Sequence, residues 1–184
     1  MANSPKDRIS KFIALLLRHD PKGLEMDKNG WVLVKDLLPV LNVDITMLED
    51  IVDTDNKQRY SFNENKTKIR ANQGHSIPWV KIDMDEVEPP EFLYHGTSTK
   101  VLHLIMKDGI KRMSRQHVHL SADEETAKKV GLRHAHGDIK RLVVLKIHTS
   151  RMKEDSEYKI YLSENGVWLV GGKPIHPHYI QNQL

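Results

Sequence analysis

Asp83-Met84-Asp85-Glu86-Val87-Glu88-Pro89-Pro90 and, one residue later, Phe92-Leu93-Tyr94-His95-Gly96-Thr97-Ser98 decide how this chain divides. The first stretch is acidic and ends in two prolines, the composition of an interdomain linker. An acidic surface loop inside one domain is the alternative. The second stretch is an apolar strand that runs into a glycine and two hydroxyls. Composition changes at the same point. Residues 1–90 carry 13 basic and 15 acidic side chains, whereas residues 91–184 carry 15 and 10, and nine of the eleven histidines lie in the second part. With room for two small domains in 184 residues, we expect a lobe over 1–82, a linker over 83–90 and a second lobe over 91–184.

Working outward to the N-terminus, Ser4 suits an N-cap with Pro5 at the first helical position. Ile9, Phe12, Ile13, Leu16 and Leu17 recur at helical spacing up to Arg18-His19-Asp20-Pro21, where the proline disfavours further helix. Trp31 to Val34 suits a short strand, Asp36-Leu37-Leu38 a helix, and Asp44 a cap for a helix over Ile45 to Val52. Arg59 to Phe62 and Thr67 to Arg70 flank a polar turn, as in a hairpin. Helices followed by a hairpin suggest a winged-helix arrangement.

Towards the C-terminus, Thr99 to Lys107 has helical spacing, with Val101, Leu104 and Ile105 on one face and Gly109 as the stop. His117 to Ser121 alternates like a strand. Ser121 with Glu124 resembles a capping box for a helix over Ala122 to Val130. Leu142 to Ile147 is a buried strand, and Asn165-Gly166 between Lys159–Leu162 and Val167–Val170 signals a hairpin. The whole is expected to be α+β: a winged-helix-like lobe, then a mixed α/β lobe.

Composition narrows the function classes. Apolar residues make up 39% and charged residues 29%, which suits a folded soluble protein. The net charge of +3 is mildly basic. The longest apolar run, Phe12 to Leu17, is too short for a membrane helix. The absence of cysteine excludes disulfides, a catalytic thiol and Cys-based metal sites. A cytoplasmic monomer without membrane contact is the expectation.

Five constellations could carry chemistry. Arg18-His19, with Lys11 earlier on the same helix, could grip a phosphate and move a proton, or could simply complement the helix dipole. The loop after Arg70, with Asn72 and His75, offers donors for an anion or is an ordinary polar exit from a hairpin. His95-Gly96-Thr97 at a strand end can hold a ribose by hydrogen bonds, with the glycine letting a ligand approach. His117 and His119, two apart, share one strand face near Arg115. They invite a zinc reading that lacks a clear third ligand, so we expect no metal. Finally, Arg133 stands beside His134 in a loop after a helix, the third separated loop with an arginine near a histidine.

Taken in order, Leu16-Leu17-Arg18-His19, Lys68 to Ser76, Tyr94-His95-Gly96-Thr97, His117 to Ser121 and Asn165 to Leu169 resemble the RNA 2′-phosphotransferase (KptA) family. The resemblance implies an ADP-ribosyltransferase-like second lobe, with both lobes contributing to the active site. It implies removal of an internal 2′-phosphate from RNA, as at a tRNA splice junction, with NAD consumed as co-substrate. The 2′-phosphate attacks the nicotinamide ribose, giving ADP-ribosylated RNA. A ribose hydroxyl then displaces the RNA 2′-hydroxyl, giving ADP-ribose 1″,2″-cyclic phosphate. By resemblance Arg18, His19, Arg70 and Arg133 are the catalytic group, and Arg115 competes with Arg133 for the third arginine role. His95, Gly96, Thr97, His119 and Val167 would line the NAD site, with Val167 where protein-modifying relatives place a glutamate. Lys11, Asn72, His75, Arg115 and His117 would contact the RNA. A phosphate dianion is already a nucleophile, and a carboxylate beside it would repel it. The run His134-Ala135-His136-Gly137 is longer than the family's usual Arg-His-Gly, and Gly171-Gly172-Lys173 is also a departure.

Three rivals stand beside this reading. A winged-helix DNA-binding regulator needs a basic first lobe, and residues 1–90 are net −2. A two-histidine phosphoesterase would work without NAD. An ADP-ribosyltransferase acting on proteins or nucleic-acid ends would share the second lobe.

Overall fold

The computed structural model describes residues 4–182, and within them the chain is mixed α/β with six α-helices and three small antiparallel sheets. It separates into two compact units, 1–83 and 84–184. No helix among the described residues is long and apolar enough to cross a membrane.

The first unit runs α1 (Pro5–Arg18), β1 (Val32–Leu33), α2 (Val34–Leu41), α3 (Ile45–Asp53), β2 (Tyr60–Phe62) and β3 (Lys68–Ala71). Ser4 caps α1 in a reciprocal box with Asp7. Asp44 accepts the Met47 N–H at 2.8 Å and starts α3. The strands order β1-β3-β2, and Ile69 of the central strand is fully buried among Ile13, Leu16, Leu17, Leu37 and Leu48. Val34, expected in the strand, instead opens α2, its N–H bonded to the Thr67 carbonyl.

The second unit runs β4 (Phe92–Ser98), α4 (Thr99–Asp108), β5 (Val118–Leu120), α5 (Glu124–His134), β6 (Leu142–His148), α6 (Thr149–Lys153), β7 (Tyr158–Leu162), β8 (Trp168–Gly172) and β9 (Ile180–Asn182). One sheet orders β4-β6-β9 and the other β5-β8-β7. A bridge between Tyr94 and Ser121 joins β4 to the end of β5. The acidic stretch is laid along β7: Val87 donates to the Ile160 carbonyl, and Glu86 pairs with Lys159 at 2.9 Å.

Several local expectations change. α5 starts at Glu124, because Asp123 takes both the Thr126 N–H and its hydroxyl, so Ser121 is not the cap. The helix also runs to His134, which puts Arg133 in its last turn rather than in a following loop. On α4 only Ile105 is buried, whereas Val101 and Leu104 are exposed. The Asn165-Gly166 turn is longer than two residues. Ser163 and Val167 close a three-residue loop, and Gly166 takes the left-handed position at φ 75°.

Candidate active site

In the first unit the fold brings two of the sequence constellations together. Arg18 is the last residue of α1 and His19 its C-cap. The loop leaving β3 returns to that helix end. Ser76 donates its N–H to the Arg18 carbonyl at 2.8 Å, and its hydroxyl lies 2.9 Å from His19 Nδ1. The Arg18 guanidinium lies against Gly74, with its carbon and Nε 3.7 Å from where a Cβ would stand. Gly74 has φ 89°, a left-handed backbone that favours glycine there. Arg70, on β3, stacks on Trp31 with its guanidinium carbon 4.5 Å from the ring centroid. That contact orients a planar fork without neutralising its charge.

The rest of the loop is structural in its packing. Asn72 and His75 are buried, 5% and 3% exposed. Asn72 donates to the Gln58 carbonyl, and the His75 ring lies against Gly30. Both pack into the loop that carries Gly74 and Ser76. Lys11 is exposed two turns before Arg18.

In the second unit three imidazoles are linked through the backbone. His95 Nδ1 lies 3.2 Å from the His119 carbonyl, and His119 Nδ1 lies 3.1 Å from the His117 carbonyl. A carbonyl only accepts, so His95 donates from Nδ1, which makes its Nε2 an acceptor in the neutral ring. Desolvation pulls the His95 pKa from the ordinary 6.5 to about 4; the bond to His119 opposes this and the His134 charge adds to it. At neutral pH His95 is therefore a hydrogen-bond acceptor of the kind a sugar hydroxyl satisfies. The His117 ring meets Tyr161 edge-on and covers Gly171, whose Cβ would stand 3.3 Å from it. This explains the first glycine of the Gly171-Gly172 pair. The second has φ 96° and its Cβ site is filled by the Glu157 carbonyl.

Gly96 also has a packing role. Its Cβ position is 1.8 Å from the Ala127 carbonyl oxygen, and that of Gly131 is 2.9 Å from the Thr97 nitrogen. The two glycines let α5 lie directly on β4. Gly96 thus serves helix–strand contact on its Cβ side, and Thr97 is enclosed at 5% exposure. A glycine inside an otherwise good helix is the sequence signal for this contact. Val167 is half-buried, its N–H and carbonyl both tied to Ser163.

Arg133 at the end of α5 acts on Arg115, whose pKa is lowered by desolvation first and by Arg133 second. His134 is likewise pushed down by desolvation, then by Arg133, Arg115 and His136. The charges acting on Arg115 and His134 are all cationic. A cationic field of this kind favours anions nearby.

The chain's sequence matches, over residues 4–172, the model of the family described as "RNA 2'-phosphotransferase, Tpt1 / KptA family". The chain belongs to this family. Among curated relatives it is similar to the "Probable RNA 2'-phosphotransferase" of Fusobacterium nucleatum, 51% identical over 91% of this chain and 94% of the relative. Relatives of the same name from Flavobacterium johnsoniae and Trichormus variabilis are 47% and 42% identical, over 94% and 98% of this chain and equal shares of their own. The RNA 2′-phosphotransferase family is one of transferases, so the arginine and histidine constellations above belong to an enzyme.

Proposed function

We propose that this RNA 2′-phosphotransferase family member transfers an internal RNA 2′-phosphate to NAD, and that the tRNA splice junction is the type of RNA it accepts. The observation that carries this reading is the stitching of Arg18-His19 to the Arg70–Ser76 loop. Two motifs more than fifty residues apart meet at one helix end, where an arginine adjoins an imidazole tied to Ser76, and a phosphate dianion and a proton transfer require such groups. The first unit's helices and hairpin support a winged-helix-like lobe, and the second unit's two small sheets support an ADP-ribosyltransferase-like lobe.

In this reading Arg18 and Arg70 neutralise the 2′-phosphate and neighbouring phosphates, and Asn72 and His75 hold their loop. His19, tied to Ser76, moves the proton when the RNA 2′-oxygen leaves. On the second unit His95 accepts a ribose hydroxyl through Nε2, with Thr97, His119 and Val167 shaping the NAD site. Arg115 and Arg133 take anionic groups of the substrates, with His117 beside them. NAD supplies the ribosyl carbon that accepts the phosphate. The aliphatic Val167 suits this chemistry, because a phosphate nucleophile needs no carboxylate base.

The test is a 2′-phosphorylated oligonucleotide incubated with the protein in EDTA, with and without NAD. Dephosphorylation that needs NAD and yields ADP-ribose 1″,2″-cyclic phosphate is expected. Turnover without NAD overturns the reading.

A further inference from the structure

Between α4 and β5 the chain makes a turn whose closing bonds are unusual. Arg115 donates its backbone N–H to the Arg112 carbonyl at 3.1 Å, and the Arg112 guanidinium reaches back to the Arg115 carbonyl at 2.7 Å. Of the two residues between them, Met113 has φ 56° and is 80% exposed. A long side chain in the left-handed region is strained, and it lies there without burial in return. Something must hold the turn against that strain, and the Arg112 fork does so. Arg112 also acts on His117 two residues beyond the turn. The residues carried out of this turn are Arg115 and His117, which the proposed function assigns to substrate.

We infer that Arg112 is a positioning residue for Arg115: its guanidinium clasps the turn, holds Met113 in its strained conformation, and so fixes where the Arg115 charge meets the substrate anion. This rests on the reading of Arg115 as an anion-binding group. The clasp is a bond from a charged donor to a backbone acceptor, stronger than a neutral one. It acts on the position of a charge and contributes none to the reaction itself.

The test uses the full-length protein and single-turnover dephosphorylation of a 2′-phosphorylated oligonucleotide. Arg112→Ala is expected to raise the KM for RNA about tenfold, with the KM for NAD and the melting temperature unchanged. Arg112→Lys, which keeps a cation within reach of the carbonyl, recovers part of this. Met113→Gly in the Arg112→Ala background recovers more, because glycine holds the left-handed turn without strain. In the Arg115→Ala background, Arg112→Ala should cost nothing further. Full additivity of the two substitutions, or wild-type KM for Arg112→Ala while Arg115→Ala is impaired, overturns the clasp and leaves the proposed function standing. Wild-type behaviour of Arg115→Ala overturns the role of Arg115 and the clasp with it.

Discussion

The two units present their arginines in opposite ways. In the first, Arg18 and Arg70 are half-buried and held by structure: a helix end, a glycine, a tryptophan face and a loop tied down by Ser76. In the second, Arg115 and Arg133 are exposed, on a strained turn and a helix terminus, and the charge of Arg133 acts on Arg115. Net charge differs in the same sense, −2 over residues 1–90 and +5 over the remainder. An acidic unit that keeps two arginines at one loop specialises them by position. A basic unit with exposed arginines draws anions by field as much as by fit. Substitutions in the first unit should therefore damage chemistry, and those in the second should damage capture.

The largest effects are expected at the first unit's loop. Arg18→Ala and Arg70→Ala each remove a charge-assisted contact worth roughly 1.5–3 kcal/mol, which is about 10- to 150-fold in rate. His19→Ala should slow the second step more than the first, because expelling a ribose alkoxide needs a proton and expelling nicotinamide does not. ADP-ribosylated RNA should then accumulate as a slower gel band. If His19→Ala leaves only unreacted RNA, the division between chemistry and capture is wrong.

Next comes Gly96→Ala. The new methyl would meet backbone atoms of α5, which cannot rotate away, so a stability loss of about 3 kcal/mol is expected. A melting temperature equal to wild type would show that α5 does not need the glycine. This contact also shows what was legible in the sequence. Local signals were: the Ser4 cap, the Asp44 cap and the hairpin around Asn165-Gly166 all depend on residues within a few positions, and each element is present. Contacts between distant residues were not. The spacing of Val101, Leu104 and Ile105 promised one buried face, yet tertiary packing covers only Ile105. Ser121 and Glu124 matched a capping box, yet Asp123 is the better acceptor and Ser121 is bonded to Tyr94 of β4. The candidate site followed the same rule. His95 and Arg18 were visible as motifs, whereas the placement of Ser76 beside His19 and the packing of Gly96 under α5 depend on chain that is far away in sequence.

Arg115→Ala and Arg133→Ala are expected to cost tenfold or more each, through the KM for a charged substrate, and to weaken as salt rises. With Arg115 and Arg133 taking one anion in the proposed function, the double substitution should cost less than the product of the singles. A strictly multiplicative loss would assign them to separate anions.

The smallest effect is a pH dependence that belongs to the second unit. His95 has its pKa depressed to about 4 in the folded chain, against the ordinary 6.5 of an unfolded histidine. Below 6.5 the unfolded chain therefore binds a proton that the folded chain refuses. Stability is at its full value above that pH, falls as pH drops, and stops falling below the folded value. At pH 6 the loss due to His95 is on the order of 1 kcal/mol. His117 and His134 are shifted in the same direction, so the whole unit should weaken on acidification. His95→Gln keeps a donor for the His119 carbonyl but cannot titrate. Urea melts at pH 8 and pH 6 should show the variant losing less stability than wild type, by on the order of 1 kcal/mol. Parallel losses would mean that His95 is charged in the folded protein, and it could not then accept a ribose hydroxyl through Nε2.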